Sequence, residues 1–474
     1  MLNPFQKKNT GFIIFIAGLF FYLFIALFIN KQYIGSDGRS FQRMAVNISE
    51  GNGYSDDIDP PFEKQFFREP GFPYFFSGAC VLNKLFGKEN IALSYNNPKP
   101  GYFDKTHTEI FILRILHALL ASLTVWLFYK ILLFFLKPQL ALLISFLFIF
   151  YLPFSIFVTF PQREILVTAL LTGMGYLFLQ SASTDKSFWF DIIFGLLSAV
   201  LVLTLQAYIF ILPVFLISHI LITKSIKKTF KSVSIISIVF ILGVAPWSYR
   251  GYKEAKDLRA IKTFGISYTY EFRKFHEANA KAYFANLNGN GDLYRQKIIE
   301  GYSESGKQMF EKSFNGYYLH YADSLNKVIG LNAFSSKSNQ ANFFLKNILF
   351  KNFRKALIWP FWKQDYRKNI SSLLKNNNQI LMAISLFLGI VIAIFALLGM
   401  VKYIFKIWFY IPVFTFHFLM IPFMSDEGRR MLPFIPFYYM FFILGLVFFY
   451  HLIRKRFFNQ RDLEMFKPLI LKKS

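Results

Sequence analysis

The stretch whose reading decides the fold is residues 11–48, GFIIFIAGLFFYLFIALFINKQYIGSDGRSFQRMAVNI. It opens on an apolar run of about 18 residues, which is long for a signal peptide. The run follows Lys7 and Lys8 and ends at Asn30-Lys31-Gln32-Tyr33, with no small-x-small cleavage pattern. It reads as a retained signal anchor that crosses a bilayer. Asp37 stands a few residues beyond it. Phe41, Met44, Ala45 and Ile48 then recur at helical spacing, which predicts a short amphipathic helix at the outer membrane surface. Asp37 has two readings at this point. It is either the N-cap of that helix or a carboxylate held near the bilayer surface, where it can act as a base.

The rest of the chain repeats the first pattern. Candidate spans fall at 11–29, 110–135, 138–156, 164–181, 188–204, 206–223, 232–247, 379–400, 404–422 and 431–451. The stretch 188–223 is either two short helices turning near Leu205-Gln206 or one long kinked helix. The expected fold class is an all-α polytopic membrane protein of about ten spans, within a range of about nine to twelve. Composition agrees. Of 474 residues, 54% are hydrophobic, 17% are charged and 63 are phenylalanine. This is neither a disordered chain nor a water-soluble enzyme. The single cysteine, Cys80, excludes an intramolecular disulfide framework and any Cys-rich metal centre.

The net charge of +26 first suggests a nucleic-acid partner, but its distribution argues otherwise. Lys224, Lys227, Lys228 and Lys231 share one short loop, and Arg454, Lys455 and Arg456 follow the last span. This positive-inside bias puts both termini in the cytoplasm and leaves two long segments outside. The first, 31–108, holds nine basic and nine acidic residues. The second, 248–378, holds 22 basic and ten acidic. The expected organisation is a transmembrane catalytic module over 1–250, a large external loop over 251–378, and C-terminal helices with a basic tail over 379–474. No nucleic-acid partner is expected. Abundant Lys, Asn, Ile and Phe point to an AT-rich bacterial genome, and hence to a bacterial inner membrane.

Beyond Gly51-Asn52-Gly53-Tyr54 the first loop reaches Arg68-Glu69-Pro70-Gly71-Phe72-Pro73, a turn leading into an apolar helix over about 74–86. The order of parts resembles the polytopic glycosyltransferases of the GT-C fold, specifically the protein O-mannosyltransferase and aminoarabinose transferase superfamily, family 39-like. That pattern has an Asp after span one, then an Arg-x-Pro-Gly-Tyr-Pro turn. Downstream, Arg114 before an apolar run and Glu164 after Pro161-Gln162-Arg163 are similar to family positions. So are Pro246-Trp247-Ser248-Tyr249-Arg250 and Arg429-Arg430-Met431-Leu432-Pro433-Phe434-Ile435-Pro436. Gly38 stands where many members have Glu, and Gln206 where many have a basic residue.

The resemblance implies a GT-C-like helix bundle. It also implies transfer of a sugar from a polyprenyl-phosphate carrier to a glycan, lipid or protein acceptor outside the membrane. A phosphate-linked lipid is a good leaving group, so one carboxylate suffices for direct, inverting displacement. A glycosidase needs two flanking carboxylates. Asp37 is the candidate base. Glu164 and Glu69 are candidates to orient the acceptor. Asp37 and Glu164 are also candidate ligands of a divalent cation, Mg2+ or Mn2+. The departing phosphate calls for cationic donors, and arginine's planar fork suits phosphate. The candidates are Arg250, Arg68, Arg163, Arg429 and Arg430.

In the second loop, residues 341–358 form a basic amphipathic pattern around Lys346, Lys351, Arg354 and Lys355, followed by Trp359 and Trp362. That pattern suits an anionic lipid surface. His276 and His320 have no metal-site companions in the sequence. Two other functions fit a chain of many spans. A Wzy-like polymerase is expected to carry arginines in two large outer loops instead of an Asp after span one. A transporter or lipid flippase is expected to carry ionisable or helix-breaking residues near mid-span. Here the candidate residues gather at the outer ends of spans, which favours chemistry at the interface.

Overall fold

Apolar runs broken by proline, glycine and charge become helices along this chain, because a backbone in lipid must satisfy its own hydrogen bonds. The structure, a computed structural model, describes residues 4–28, 36–62, 68–93, 107–183, 188–255, 378–403, 408–413 and 432–457. Among these residues there are helices and turns and no strand. The long helices are α1 (Pro4–Phe28), α4 (Thr108–Leu132), α7 (Glu164–Ser183), α10 (Ile226–Ala255), α11 (Asn378–Tyr403) and α12 (Ile435–Phe457). Shorter ones are α2 (Ser36–Glu50), α3 (Gly71–Leu85), α5 (Pro138–Ile149), α6 (Leu152–Phe157), α8 (Phe188–Thr204) and α9 (Ile211–Thr223).

Five stretches of the described helices are long and apolar enough to cross a membrane: Gly11–Phe28, Thr108–Leu132, Glu164–Ser181, Ile226–Lys253 and Leu432–Ile453. Four shorter apolar stretches accompany them: Pro138–Ile149, Phe188–Thr204, Tyr208–Thr223 and Phe387–Tyr403. The chain is an all-α membrane protein. Most of the expected span 404–422 lies outside the described residues.

Two expectations change. The span expected over 138–156 is two helices, broken at Phe150 and Tyr151. Pro153 sits in the first turn of α6, where its missing N–H is not needed, and Tyr151 ahead of that turn is extended. The stretch 188–223 resolves into α8 and α9, joined by an extended Leu205 and a 3-10 turn over Gln206–Phe210.

The chain forms two compact units. The first comprises residues 1–65, 69–246 and 352–474, and the second residues 66–68 and 247–351. In the first unit α4 is central. Its Ser122 hydroxyl donates to the Phe15 carbonyl of α1 at 2.6 Å, beside Gly18. It also packs on α3, α5 and α7. The pair α11 and α12 meets at Gly399 and Gly445, where a side chain on either would run into the other helix's backbone. Tyr410 donates to the Gly175 carbonyl of α7 at 2.8 Å.

Candidate functional site

The candidate residues begin in the segment that follows the first apolar helix. Helix α2 exists as expected, but it begins at Ser36, so Asp37 lies in its first turn instead of capping it. The α2 macrodipole favours a carboxylate at that position. Phe41, Met44 and Ala45 are buried, as their spacing predicts, and Phe41 meets Phe72 of α3 edge-to-face at 5.0 Å. The polar face is buried as well, so α2 sits inside the protein instead of lying freely on the membrane surface. Arg43, fully buried, donates from Nε to Asp56 Oδ1 at 2.8 Å and from Nη1 to the Leu93 carbonyl at 3.3 Å. Gln42 donates to Glu109 Oε1 at 2.9 Å and to the Ile91 carbonyl at 2.7 Å. Asn47 donates to the Ser55 and Asp57 carbonyls at 3.0 and 2.8 Å. These bonds fix α2, and with it Asp37, to the remainder of the loop.

Helix α3 begins at Gly71, earlier than expected, and the glycine is needed there. A Cβ at 71 would lie 2.8 Å from the Thr204 backbone nitrogen, closer than real Cβ contacts allow. This approach brings Glu69 to the start of α7. Arg163 Nη1 donates to Glu69 Oε2 at 2.7 Å and to the Thr204 carbonyl at 3.1 Å. The Arg163 guanidinium also stands 5.9 Å over the Phe41 ring. Tyr54 completes the turn by donating to the Glu69 carbonyl at 3.1 Å. Segments far apart in sequence thus converge on Phe41, Glu69, Arg163 and Thr204. Asp37 lies one helical turn before Phe41 on the same face, about 6 Å along the axis. Glu164, half-buried, opens α7 directly after Arg163.

Of the residues expected to act, Asp37, Glu69, Arg163 and Glu164 belong to the first unit, and Glu69 and Arg163 form an ion pair. Arg68 and Arg250 belong to the second unit, where the Arg250 guanidinium lies 4.5 Å over the Trp247 ring. Arg429 and Arg430 lie outside the described residues, as do His276, His320 and the 341–358 pattern with Trp359 and Trp362. Among the described residues no three His, Cys, Asp or Glu groups converge as a cation site requires, and Glu69 is engaged by Arg163.

The archaeal oligosaccharyltransferase AglB from Archaeoglobus fulgidus, solved with an inhibitory peptide and a dolichol-phosphate, matches with a TM-score of 0.50 at 12% identity, over 97% of this chain and 53% of that one. The chain has the GT-C fold. The same organism's oligosaccharyltransferase tethered to an acceptor peptide containing the NVT sequon gives a TM-score of 0.48 at 12% identity, over 98% of this chain and 52% of that one. The chain thus spans about half the length of the solved structures it matches. No protein-family model matches the sequence, and no curated protein matches it.

Within this GT-C chain the structure adds polar groups that the sequence reading did not single out as a network. Glu109 is fully buried at the start of α4, and besides Gln42 it faces His107, whose Nδ1 is 3.2 Å from Oε1. His117, two turns further along α4, is fully buried. Its Nδ1 donates to the Val158 carbonyl at 3.2 Å, and its ring lies by those of Phe72 and Phe75. Arg114 is buried between them in sequence. A signal was available. Arg43 and Asn47 share the side of α2 opposite Phe41 and Ala45, with Gln42 between the two sides, but a polar helical face is ordinarily solvated.

Proposed function

We propose that this chain is an integral membrane glycosyltransferase that moves a sugar from a polyprenyl-phosphate-linked donor to a glycan, lipid or protein acceptor at the external membrane face. The observation that carries the reading is the likeness of fold to a membrane oligosaccharyltransferase solved with a dolichol-phosphate. The convergence of Glu69, Arg163 and Phe41 one helical turn from Asp37 supports it. Both termini are then cytoplasmic, in keeping with the positive-inside bias.

In the proposed step, Asp37 accepts the proton of an acceptor hydroxyl. The hydroxyl oxygen forms a bond to the anomeric carbon from the face opposite the phosphate. The bond from that carbon to the phosphate oxygen breaks, and its electron pair leaves with polyprenyl phosphate. The anomeric centre inverts. Glu164 is the proposed acceptor-orienting carboxylate. Glu69 acts through Arg163, holding its guanidinium in one orientation for a charge-assisted bond to the donor phosphate. Arg68, Arg250, Arg429 and Arg430 are proposed phosphate donors on the strength of their charge and their positions in the sequence.

The test uses the full chain in proteoliposomes with a polyprenyl-phosphate sugar. Asp37→Asn is expected to lower transfer by about a hundredfold or more while the variant folds and inserts normally, as for loss of a general base. Turnover near that of the parent removes Asp37 from the base role. Movement of the donor across the bilayer with no covalent transfer would identify a flippase instead.

A further inference from the structure

The ion pair of Glu69 and Arg163 depends on two segments that meet at one buried side chain, His117 of α4. Glu69 leads into α3, which starts at Gly71. Arg163 ends the short link between α6 and α7, residues 158–163. His117 is fully buried and touches both segments. On the α3 side its ring lies 6.0 Å from that of Phe72 and 6.2 Å from that of Phe75, at interplanar angles of 29° and 5°. On the link side its Nδ1 is 3.2 Å from the Val158 carbonyl oxygen. A carbonyl oxygen only accepts, so Nδ1 carries the proton.

The link needs that donor. Helix α6 ends at Phe157, and a helix end leaves its last carbonyls without intrahelical donors. Val158 is fully buried, so its carbonyl must find a donor inside the protein. From there the link is tightly wound. Thr159 N–H donates to Ile156, Phe160 to Phe157 and Gln162 to Phe160, at 3.1, 3.1 and 2.8 Å. A shift at Val158 is therefore passed to Arg163 with little slack. The rings reach the same guanidinium from the other side. Phe72 meets Phe41 edge-to-face at 5.0 Å, and Arg163 stands 5.9 Å over the Phe41 ring. Histidine is a costly choice for packing alone. Its Nε2 is buried with no hydrogen-bond partner among the described residues, a cost that a phenylalanine there would avoid.

We propose that His117 is a positioning residue for Arg163. Phe72 and Phe75 fix the plane of the imidazole, and its Nδ1 holds the Val158 carbonyl. The α6–α7 link then delivers the Arg163 guanidinium to Glu69 and, in transfer, to the donor phosphate. His117 itself needs no contact with donor or acceptor. Its effect on transfer rests on the glycosyltransferase reading, and its effect on the place of Arg163 does not.

The test uses the full chain in nanodiscs with two readouts. The first is the Nε–H magnetic resonance of Arg163 in chain carrying isotope-labelled arginine, recognised by its absence from Arg163→Gln. The second is the rate of transfer from a polyprenyl-phosphate sugar. His117→Phe keeps the ring and loses the donor. It is expected to shift the Arg163 resonance and to lower kcat about tenfold, with acceptor KM little changed. His117→Asn places an amide N–H near the position of Nδ1 and is expected to restore both. His117→Gln places it near Nε2 and is expected to behave as His117→Phe does, so the amide pair decides the matter if the phenylalanine variant does not fold. His219→Phe removes another buried imidazole, one lying 2.9 Å from the Thr229 hydroxyl, and is expected to move neither readout. In an Arg163→Gln background, His117→Phe is expected to change kcat by no more than about twofold, because the side chain it positions is gone. A further loss as large as in the parent overturns the proposal. So does an unmoved Arg163 resonance in His117→Phe, or an asparagine variant as impaired as the glutamine one. A shifted resonance in a chain whose parent transfers no sugar would leave the positioning of Arg163 standing and remove the glycosyltransferase reading alone.

Discussion

The meeting of helices α11 and α12 and the seating of helix α2 are achieved by opposite means. The pair α11 and α12 brings Gly399 and Gly445 against the facing backbones, so two apolar helices close on each other with no side chain between them. Lipid tails are as apolar as leucine, so contact between spans must come from close backbone approach. Helix α2 is held by buried charge and amides. Arg43, Gln42 and Asn47 on α2 reach Asp56, Glu109 and the carbonyls of Ser55, Asp57, Ile91 and Leu93. That polar mode suits the part that holds Asp37, because directional bonds fix a helix end more closely than apolar contact does. Small residues shape the bundle, and a hydrogen-bonded loop shapes the candidate site.

The contrast breaks first at the glycines. Gly445→Leu is expected to cost about 3 kcal/mol or more, because the facing Phe395 backbone cannot yield as a side chain would. The measurement is thermal unfolding in detergent, or the folded fraction recovered from membranes. A variant as stable as the parent would mean that the two helices do not approach at this point. Next comes the buried ion pair. Arg43→Ala is expected to cost about 2 kcal/mol, since it leaves Asp56 without a cation in a partly desolvated loop. Arg43→Met combined with Asp56→Leu is expected to recover part of that loss, because removing both charges removes the unpaired one. No recovery in the double variant would assign Arg43's role to its bond with the Leu93 carbonyl.

The pair Glu69–Arg163 sharpens the comparison where it touches the proposed activity. Both side chains are about one-fifth exposed, so a double-mutant cycle of Glu69→Gln and Arg163→Gln is expected to show a coupling of only about 1 kcal/mol in stability. In transfer, Glu69→Gln is expected to lower kcat with little change in KM for the acceptor, as for a positioning residue. A rise in acceptor KM with unchanged kcat would instead return Glu69 to direct contact with the acceptor.

These pairs also mark what the sequence could and could not disclose. Each of the five described stretches long and apolar enough to cross a membrane overlaps a span that hydropathy placed, and 188–204 was legible to the residue. Helix α10 was read short, as 232–247 against Ile226–Ala255, because Lys227, Lys228 and Lys231 lower the local hydropathy without breaking the helix. Pro153 was visible, yet its break was absorbed into one expected span. Asp37, Glu69, Arg163 and Glu164 were all visible as candidates near helix ends. The pairing of Glu69 with Arg163 was not, because 94 residues separate them and only the Gly71–Thr204 approach brings them together. The partners of Arg43 and Gln42 were hidden for the same reason. A buried polar face differs from a solvated one only in what the rest of the chain lays over it.

The smallest expected effect tests whether the α3 side of the polar region is as closed as the glycine pair. Cys80 is fully buried, and its backbone carbonyl accepts a bond from Asn90 at 3.2 Å. Burial first, and then the charge of Glu109, pushes its thiol well above the usual cysteine range. The thiolate is the reactive form, so raising the pH from 7 to about 9 is expected to leave Cys80 inert to maleimide in the folded chain, whereas an exposed cysteine gains reactivity over that range. Denaturation is expected to restore ordinary labelling, and the stability of Cys80→Ala, which removes only a sulfur, should fall only modestly. Rapid labelling of the folded chain at neutral pH would show that water reaches the α3 core, and the polar region would then be the looser of the two packing modes.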